Sequence, residues 1–200
     1  MTIERTAAEE KRRLLLDAAV RVFARKGYHS ARVGDIAEEA GVAYGLLYHY
    51  FRSKEEVLET IFRSTWSDML ATVESIAATG VPAAEQLRKV TEVILRTWRR
   101  DPDLVRVLVR EITRSPHLQQ QLDEVTAAFG ALEAIIERGQ QDGAFRADLD
   151  PRLASVVWYG ALEEILTGWA LGRLSDDDEG IEAAEQTVVR MISDGVVAVS

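Results

Sequence analysis

Residues 35–51 read Asp35-Ile-Ala-Glu-Glu-Ala-Gly-Val-Ala-Tyr-Gly-Leu-Leu-Tyr-His-Tyr-Phe51, and this stretch decides the fold. Ala37 and Ala40 are small where two helices must approach closely, and Gly41 can take the left-handed backbone a sharp turn requires. Val42, Leu47 and Phe51 supply apolar anchors that seat a second helix on the first. The pattern has the anatomy of a helix-turn-helix, whose second helix would present its N-terminal residues to a DNA major groove. A generic helical hairpin inside a bundle obeys the same local rules, so the turn alone leaves both readings open.

Outward from that turn, the chain is helical in both directions. Leu14, Ala18, Ala19, Val22 and Phe23 recur at three and four residues, the stripe of one buried helix face. Thr6-Ala-Ala-Glu9 reads as a capping box opening that helix, and Gly27 as its stop. Ser53-Lys-Glu-Glu56 reads as a second capping box, opening a helix that runs to about residue 78. Pro82, Pro102, Pro116 and Pro151 each sit where a first helical residue is expected, the last three behind an Asp or Ser that can cap. Helices are therefore expected at about 82–100, 102–114, 116–141, 151–172 and 181–197, with the acidic stretch 175–180 as a loop. The reading is an all-α fold of about nine helices. It divides into a three-helix helix-turn-helix head, residues 1–52, and a six-helix body, residues 53–200.

Composition narrows the function. The chain has 200 residues, 47% of them hydrophobic and 28% charged, with no cysteine, so thiolate metal sites, disulfides and cysteine nucleophiles are excluded. Of its three histidines, His29 and His49 lie in the head and only His117 beyond it, so neither a metal site nor a cofactor is expected. There is no G-x-S-x-G elbow, phosphate-binding glycine loop or H-E-x-x-H, which argues against an enzyme. The longest run without Asp, Glu, Lys or Arg is residues 40–51, shorter than the ~18 residues that span a bilayer. A cytoplasmic protein with no membrane partner is expected. The net charge of −9 divides into +3 over residues 1–54 and −12 over the rest. A mildly basic head on an acidic body suits a protein whose head alone meets phosphates.

The segment 21–62 resembles the DNA-binding head of the TetR family of transcriptional regulators. The matching features are Phe23-Ala-x-x-Gly27-Tyr28, the Asp35–Val42 hairpin, Gly45-x-Leu-Tyr-x-Tyr-Phe51, and Ser53-Lys-Glu-Glu-Val-Leu58. The resemblance implies that Tyr48, His49 and Lys54 contact DNA phosphates, and that Ala43, Tyr44 and Gly45 stand where base edges are read. The chain departs from the family's habit in having Ala43 where Ser or Thr often caps, and Tyr44 where lysine is common. Arg32 replaces a threonine that usually opens helix two, and is itself expected to reach a phosphate or a guanine. Leu46, in place of a small or hydroxyl residue, either meets DNA or packs.

The resemblance further implies a double-stranded operator bound by a homodimer. The candidate interface lies on the last two helices: Val156, Gly160, Gly168, Val188, Met191 and Ile192. Burial within one chain is the plainer alternative for each. A small hydrophobic effector is expected inside the body, between Trp66, Met69, Val73, Leu87, Ile94, Trp98, Leu108, Ile112, Phe129, Leu132, Trp158, Ile165 and Trp169. Arg106, Arg110 and Arg114, spaced by four, together with Arg99 and Arg100, suit an anionic ligand or else form a solvated face. Gly27-Tyr-His29, Gly41-Val-Ala-x-Gly45 and the 159–169 segment are similar to the fatty-acid-degradation repressors of the family, implying long-chain acyl-CoA as effector. Alternatives are a sensor of aromatic or cationic drugs, held by tryptophan faces and Glu163 or Glu164, and a ligand-independent DNA-binding adaptor.

Overall fold

A computed structural model describes residues 7–112 and 123–196, with the side chains of 112 and 192–196 excepted. The regular elements it describes are helices: α1 (Ala7–Lys26), α2 (Val33–Glu39), α3 (Tyr44–Tyr50), α4 (Lys54–Ala77), α5 (Ala83–Arg100), α6 (Pro102–Ile112), α7 (Asp123–Gln141), α8 (Pro151–Ala170) and α9 (Asp178–Val196). The expected capping box at Thr6 and the helix start at Pro116 lie outside the described residues.

The other caps follow chemistry that the sequence carries. Ser53 Oγ accepts from the Glu56 backbone N–H at 3.2 Å, and Asp101 and Asp150 accept from Leu104 and Leu153 at 2.9 and 2.8 Å. Two starts differ from expectation. Pro82 stands just before α5 with extended backbone, ψ 147°, so the helix opens one residue later. The acidic stretch 175–180 is not all loop: Asp177 accepts from Gly180 N–H at 2.7 Å, and α9 starts at Asp178. Carboxylates at 177–179 sit against the positive end of the helix dipole, which favours starting there.

Two apolar clusters divide the interior. The first gathers Leu15, Val22 and Phe23 of α1, Ile36 of α2 and Leu47 of α3. It continues through Phe51 and Val57, Leu58, Ile61, Phe62 and Trp66 on the first half of α4. The second joins Val73 of α4 to Leu87, Val90, Ile94 and Trp98 of α5, Leu132 and Ile136 of α7, and Trp158, Leu162 and Trp169 of α8. Core packing is thus continuous across residues 52 and 53, and α4, α6 and α7 each contribute buried side chains to both clusters. Met69 and Tyr159 pack against both.

Candidate functional site

The head builds its exposed surface from a rigid turn. Gly41, at φ 66°, lets its own N–H reach the Glu38 carbonyl while Val42 N–H reaches Ala37, each at 3.0 Å, closing α2. Ala43 begins α3 with no side-chain cap. Leu47 and Phe51 are buried, which rolls Ala43, Tyr44, Gly45, Tyr48 and His49 outward; Leu46 is half-buried. Tyr44 and Tyr48 are 57% and 48% exposed, their rings edge-to-face at 5.6 Å and their hydroxyls 3.4 Å apart. That hydroxyl contact holds the Tyr48 phenol above its ordinary pKa. The ring of Tyr44 lies over Gly34 of α2, which brings the starts of α2 and α3 together beside exposed Arg32.

Ion pairs from α1 hold α2 in that pose. Arg21 Nε and Arg25 Nη2 reach Glu39 at 2.8 and 2.9 Å, and Lys26 Nζ reaches Asp35 at 2.7 Å. The arginines, Arg21 first, lower the Glu39 carboxyl pKa, and the Lys26 hydrogen bond does the same for Asp35. Lys54 works inward. Its ammonium donates to the carbonyls of Tyr28 at 2.7 Å and Ala31 at 3.0 Å, and lies 4.4 Å over the Tyr28 ring. Tyr28 in turn donates to Glu55 Oε1 at 3.0 Å, and burial, with that bond, raises its phenol pKa. The spacing of the sequence does not reveal this knot, because its partners are backbone carbonyls 23 to 26 residues away.

In the body, the expected effector residues are shared between the two clusters. Trp66 belongs to the first, with Leu108 and Phe129 packed on it. Val73, Leu87, Ile94, Trp98, Leu132, Trp158 and Trp169 belong to the second, with Ile165 against them. Met69 touches both, and the Ile112 side chain lies outside the described residues. Trp66, Phe129 and Tyr159 form an aromatic trio with ring centroids 5.1–6.3 Å apart. Near the trio on α8, burial raises the pKa of Glu163, and no ion pair forms with it among the described residues.

The arginine row is not one surface. Arg106 pairs with Asp103 at 2.9 Å and stacks 5.1 Å from the Trp98 ring. Arg110 Nη1 donates instead to the Ala24 carbonyl of α1 at 3.2 Å, joining body to head. Arg114 lies outside the described residues. Arg99 and Arg100 line a groove of about 740 Å³ between α5 and α9, crossed by the Arg99–Asp178 and Arg96–Glu185 pairs.

The expected dimer residues divide as well. Val156 and Gly160 are exposed on α8, and Met191 is 72% exposed on α9. Two residues correct the expectation. Val188 is 4% exposed and buried in the second cluster. Gly168 is buried, and a Cβ there would come within 2.6 Å of Leu174 Cδ1. Its missing side chain makes room for the returning chain, not for a second copy. The Ile192 side chain lies outside the described residues. Leu153 and Val157, exposed on the same α8 face as Val156 and Gly160, extend the apolar strip. Their spacing of 153, 156, 157 and 160 was the available signal.

Comparison with known proteins agrees with this anatomy. The model of bacterial regulatory proteins of the tetR family matches residues 15–61, and that of the tetracyclin repressor-like C-terminal domain matches residues 84–194. The fatty acid metabolism regulator protein of Bacillus subtilis (strain 168) is 30% identical over 184 residues, covering 91% of this chain and 93% of its own. The transcriptional repressor KstR2 of Rhodococcus jostii (strain RHA1) is 31% identical over 162 residues, 74% of this chain and 79% of that one. The solved structure of the regulator FadR from Bacillus subtilis in complex with stearoyl-CoA superimposes with a TM-score of 0.82. It is 29% identical and covers 92% of this chain and 98% of its own.

Proposed function

Because the chain belongs to the TetR family of bacterial regulatory proteins, and so is a DNA-binding transcriptional regulator and not an enzyme, we propose that it is a dimeric repressor released from its operator by long-chain acyl-CoA. One observation carries the effector: the likeness to a regulator solved with stearoyl-CoA runs through 92% of the chain, the body included. The physical chemistry supports it, since a body walled by Trp66, Met69, Leu108 and Phe129 suits an alkyl chain. The protein would act in the cytoplasm, where operator DNA and acyl-CoA are both found.

The operator would be a palindrome read by two heads about 34 Å apart, one helical turn of DNA. In each head the exposed start of α3 enters the major groove, with Tyr44 and Gly45 at base edges and Arg32, Tyr48 and His49 at the backbone. Release is a population shift. An effector that wedges the body apart moves α4, which is packed into both clusters, and the head separation changes with it. To move the equilibrium from 1:99 to 99:1 the effector must favour the released state by about 5.5 kcal/mol.

A gel shift on the protein's own promoter tests this directly. Retarded DNA should be released by stearoyl-CoA and not by CoA alone; failure to retard, or retardation indifferent to stearoyl-CoA, refutes the reading. Glu163 favours one second reading, a lipophilic cation as effector, because its part-buried carboxyl has no ion-pair partner among the described residues. Release by a quaternary ammonium amphiphile, with no response to stearoyl-CoA, would select it.

A further inference from the structure

Trp158 is 4% exposed within the second cluster, and its indole Nε1 is fully buried with no acceptor among the described residues. Trp169, three helical turns further along α8, shows the ordinary arrangement: its indole donates to the Ser175 carbonyl at 2.9 Å. Buried donors are nearly always paired, because an orphan loses its hydration with nothing in exchange. A buried donor with no acceptor among the described residues is therefore a candidate point for a bound molecule that supplies one.

The surroundings agree. Ser155, three residues earlier on the same face of α8, is wholly buried and donates to the Arg152 carbonyl at 2.8 Å, which leaves its oxygen able to accept. That face therefore carries two buried polar points, Ser155 and Trp158, the latter within the second cluster. Tyr159 and Met69 pack against both clusters, and neither is fully buried.

We infer that the Trp158 indole N–H anchors an acceptor oxygen, carbonyl or hydroxyl, on the lipid effector. This rests on the acyl-effector reading and adds where the effector is held and by which group. A plain hydrocarbon segment at Trp158 would leave the donor unpaired in the complex too. The oxygen has two sources: the thioester carbonyl of any acyl-CoA, or an oxygen borne along the chain.

The test uses the full-length protein labelled with ¹⁵N at the tryptophan indoles. Four tryptophans give four signals, assigned by single Trp→Phe variants. The probes are stearoyl-CoA, 10-hydroxystearoyl-CoA and the thioether S-octadecyl-CoA, which lacks the carbonyl. The Trp158 signal should move downfield with a probe that carries the thioester carbonyl or the chain hydroxyl and stay in place with the thioether, while the Trp169 signal holds. A response to stearoyl-CoA identifies the thioester carbonyl; a response to the hydroxylated chain alone identifies a chain oxygen. Trp158→Phe should weaken the responding probe about five- to tenfold more than it weakens the thioether. If that variant does not fold, the wild-type titration decides alone. Calorimetric binding of stearoyl-CoA with the Trp158 signal unmoved by any probe overturns this inference and spares the acyl-CoA reading. No calorimetric binding of any probe overturns both.

Discussion

The guanidinium of Arg110 on α6 donates to the carbonyl oxygen of Ala24, in the last turn of α1, at 3.2 Å. Ala24 is among the final carbonyls of α1, which have no partner further along that helix, and a cation there also meets the negative end of its dipole. The bond caps a head helix from the body. Arg110→Ala should therefore lower stability by about 1 kcal/mol, the range for a partly exposed charged hydrogen bond. Stearoyl-CoA affinity measured by calorimetry without DNA should not change, whereas the concentration that releases DNA should. A matching loss of stearoyl-CoA affinity would return Arg110 to the effector site.

Lys54 offers a contrast between two roles with the same mutant. Its ammonium lies between the carbonyls of Tyr28 and Ala31, so Lys54→Met should loosen the 28–31 turn that positions α2. Operator affinity should fall and the melting temperature with it, while the slope of log affinity against log salt is retained. Direct phosphate binding by the ammonium predicts otherwise: the slope flattens by about 0.9 for each phosphate the protein no longer neutralises. Tyr48→Phe, which removes an exposed hydroxyl, should weaken the operator complex without lowering the melting temperature.

Much of this was legible in the sequence where the signal was local. The Gly41 turn, the Ser53 cap and the Asp150-Pro151 start each depend on residues within five positions of one another. What escaped depended on distant partners. Gly168 resembled a helix-contact glycine until the chain reversed and set Leu174 against it. Val188 has the same periodicity as an interface residue, and only its packing in the second cluster distinguishes it from exposed Met191. The arginine row is regular in sequence, yet successive members meet Asp103 on α6 itself and the Ala24 carbonyl in the last turn of α1.

Glu163 makes stability depend on pH in a defined direction. Burial, with the neighbouring Glu164 charge adding to it, raises its carboxyl pKa above the ordinary 4.5. The folded state then binds this proton more tightly than the unfolded chain does. The ionised carboxyl is a penalty above the folded value, relieved as pH falls through that value toward 4.5. Glu163→Gln should stabilise the fold at pH 7 and so raise its melting temperature, the gain being less than about 1 kcal/mol because the group is only part-buried. Its advantage should shrink as the pH is taken to 4.5. Melting curves across that range check it, and an advantage that grows on acidification would show the sign to be wrong.

The apolar strip on α8 predicts the assembly state. Leu153, Val156 and Val157 stand exposed around Gly160, and Val157 is 72% exposed although it is aliphatic and sits in the middle of a helix. A Cβ at Gly160 would meet nothing within 4 Å in this chain, so an approaching helix could pack closely there. A two-fold axis through this strip would pair each residue with its own counterpart or a near neighbour, as a self-complementary interface requires. Val157→Glu then places two carboxylates in or near contact across the axis, and burying them unpaired costs far more than exposing them in a monomer. The variant should retain its helicity, since Val157 contributes little to either core cluster, and should elute as a monomer by light-scattering chromatography. Operator affinity should fall with it, because a single head has too few contacts to hold the site. A Val157→Glu protein that remains dimeric would place the two-fold surface elsewhere on the body.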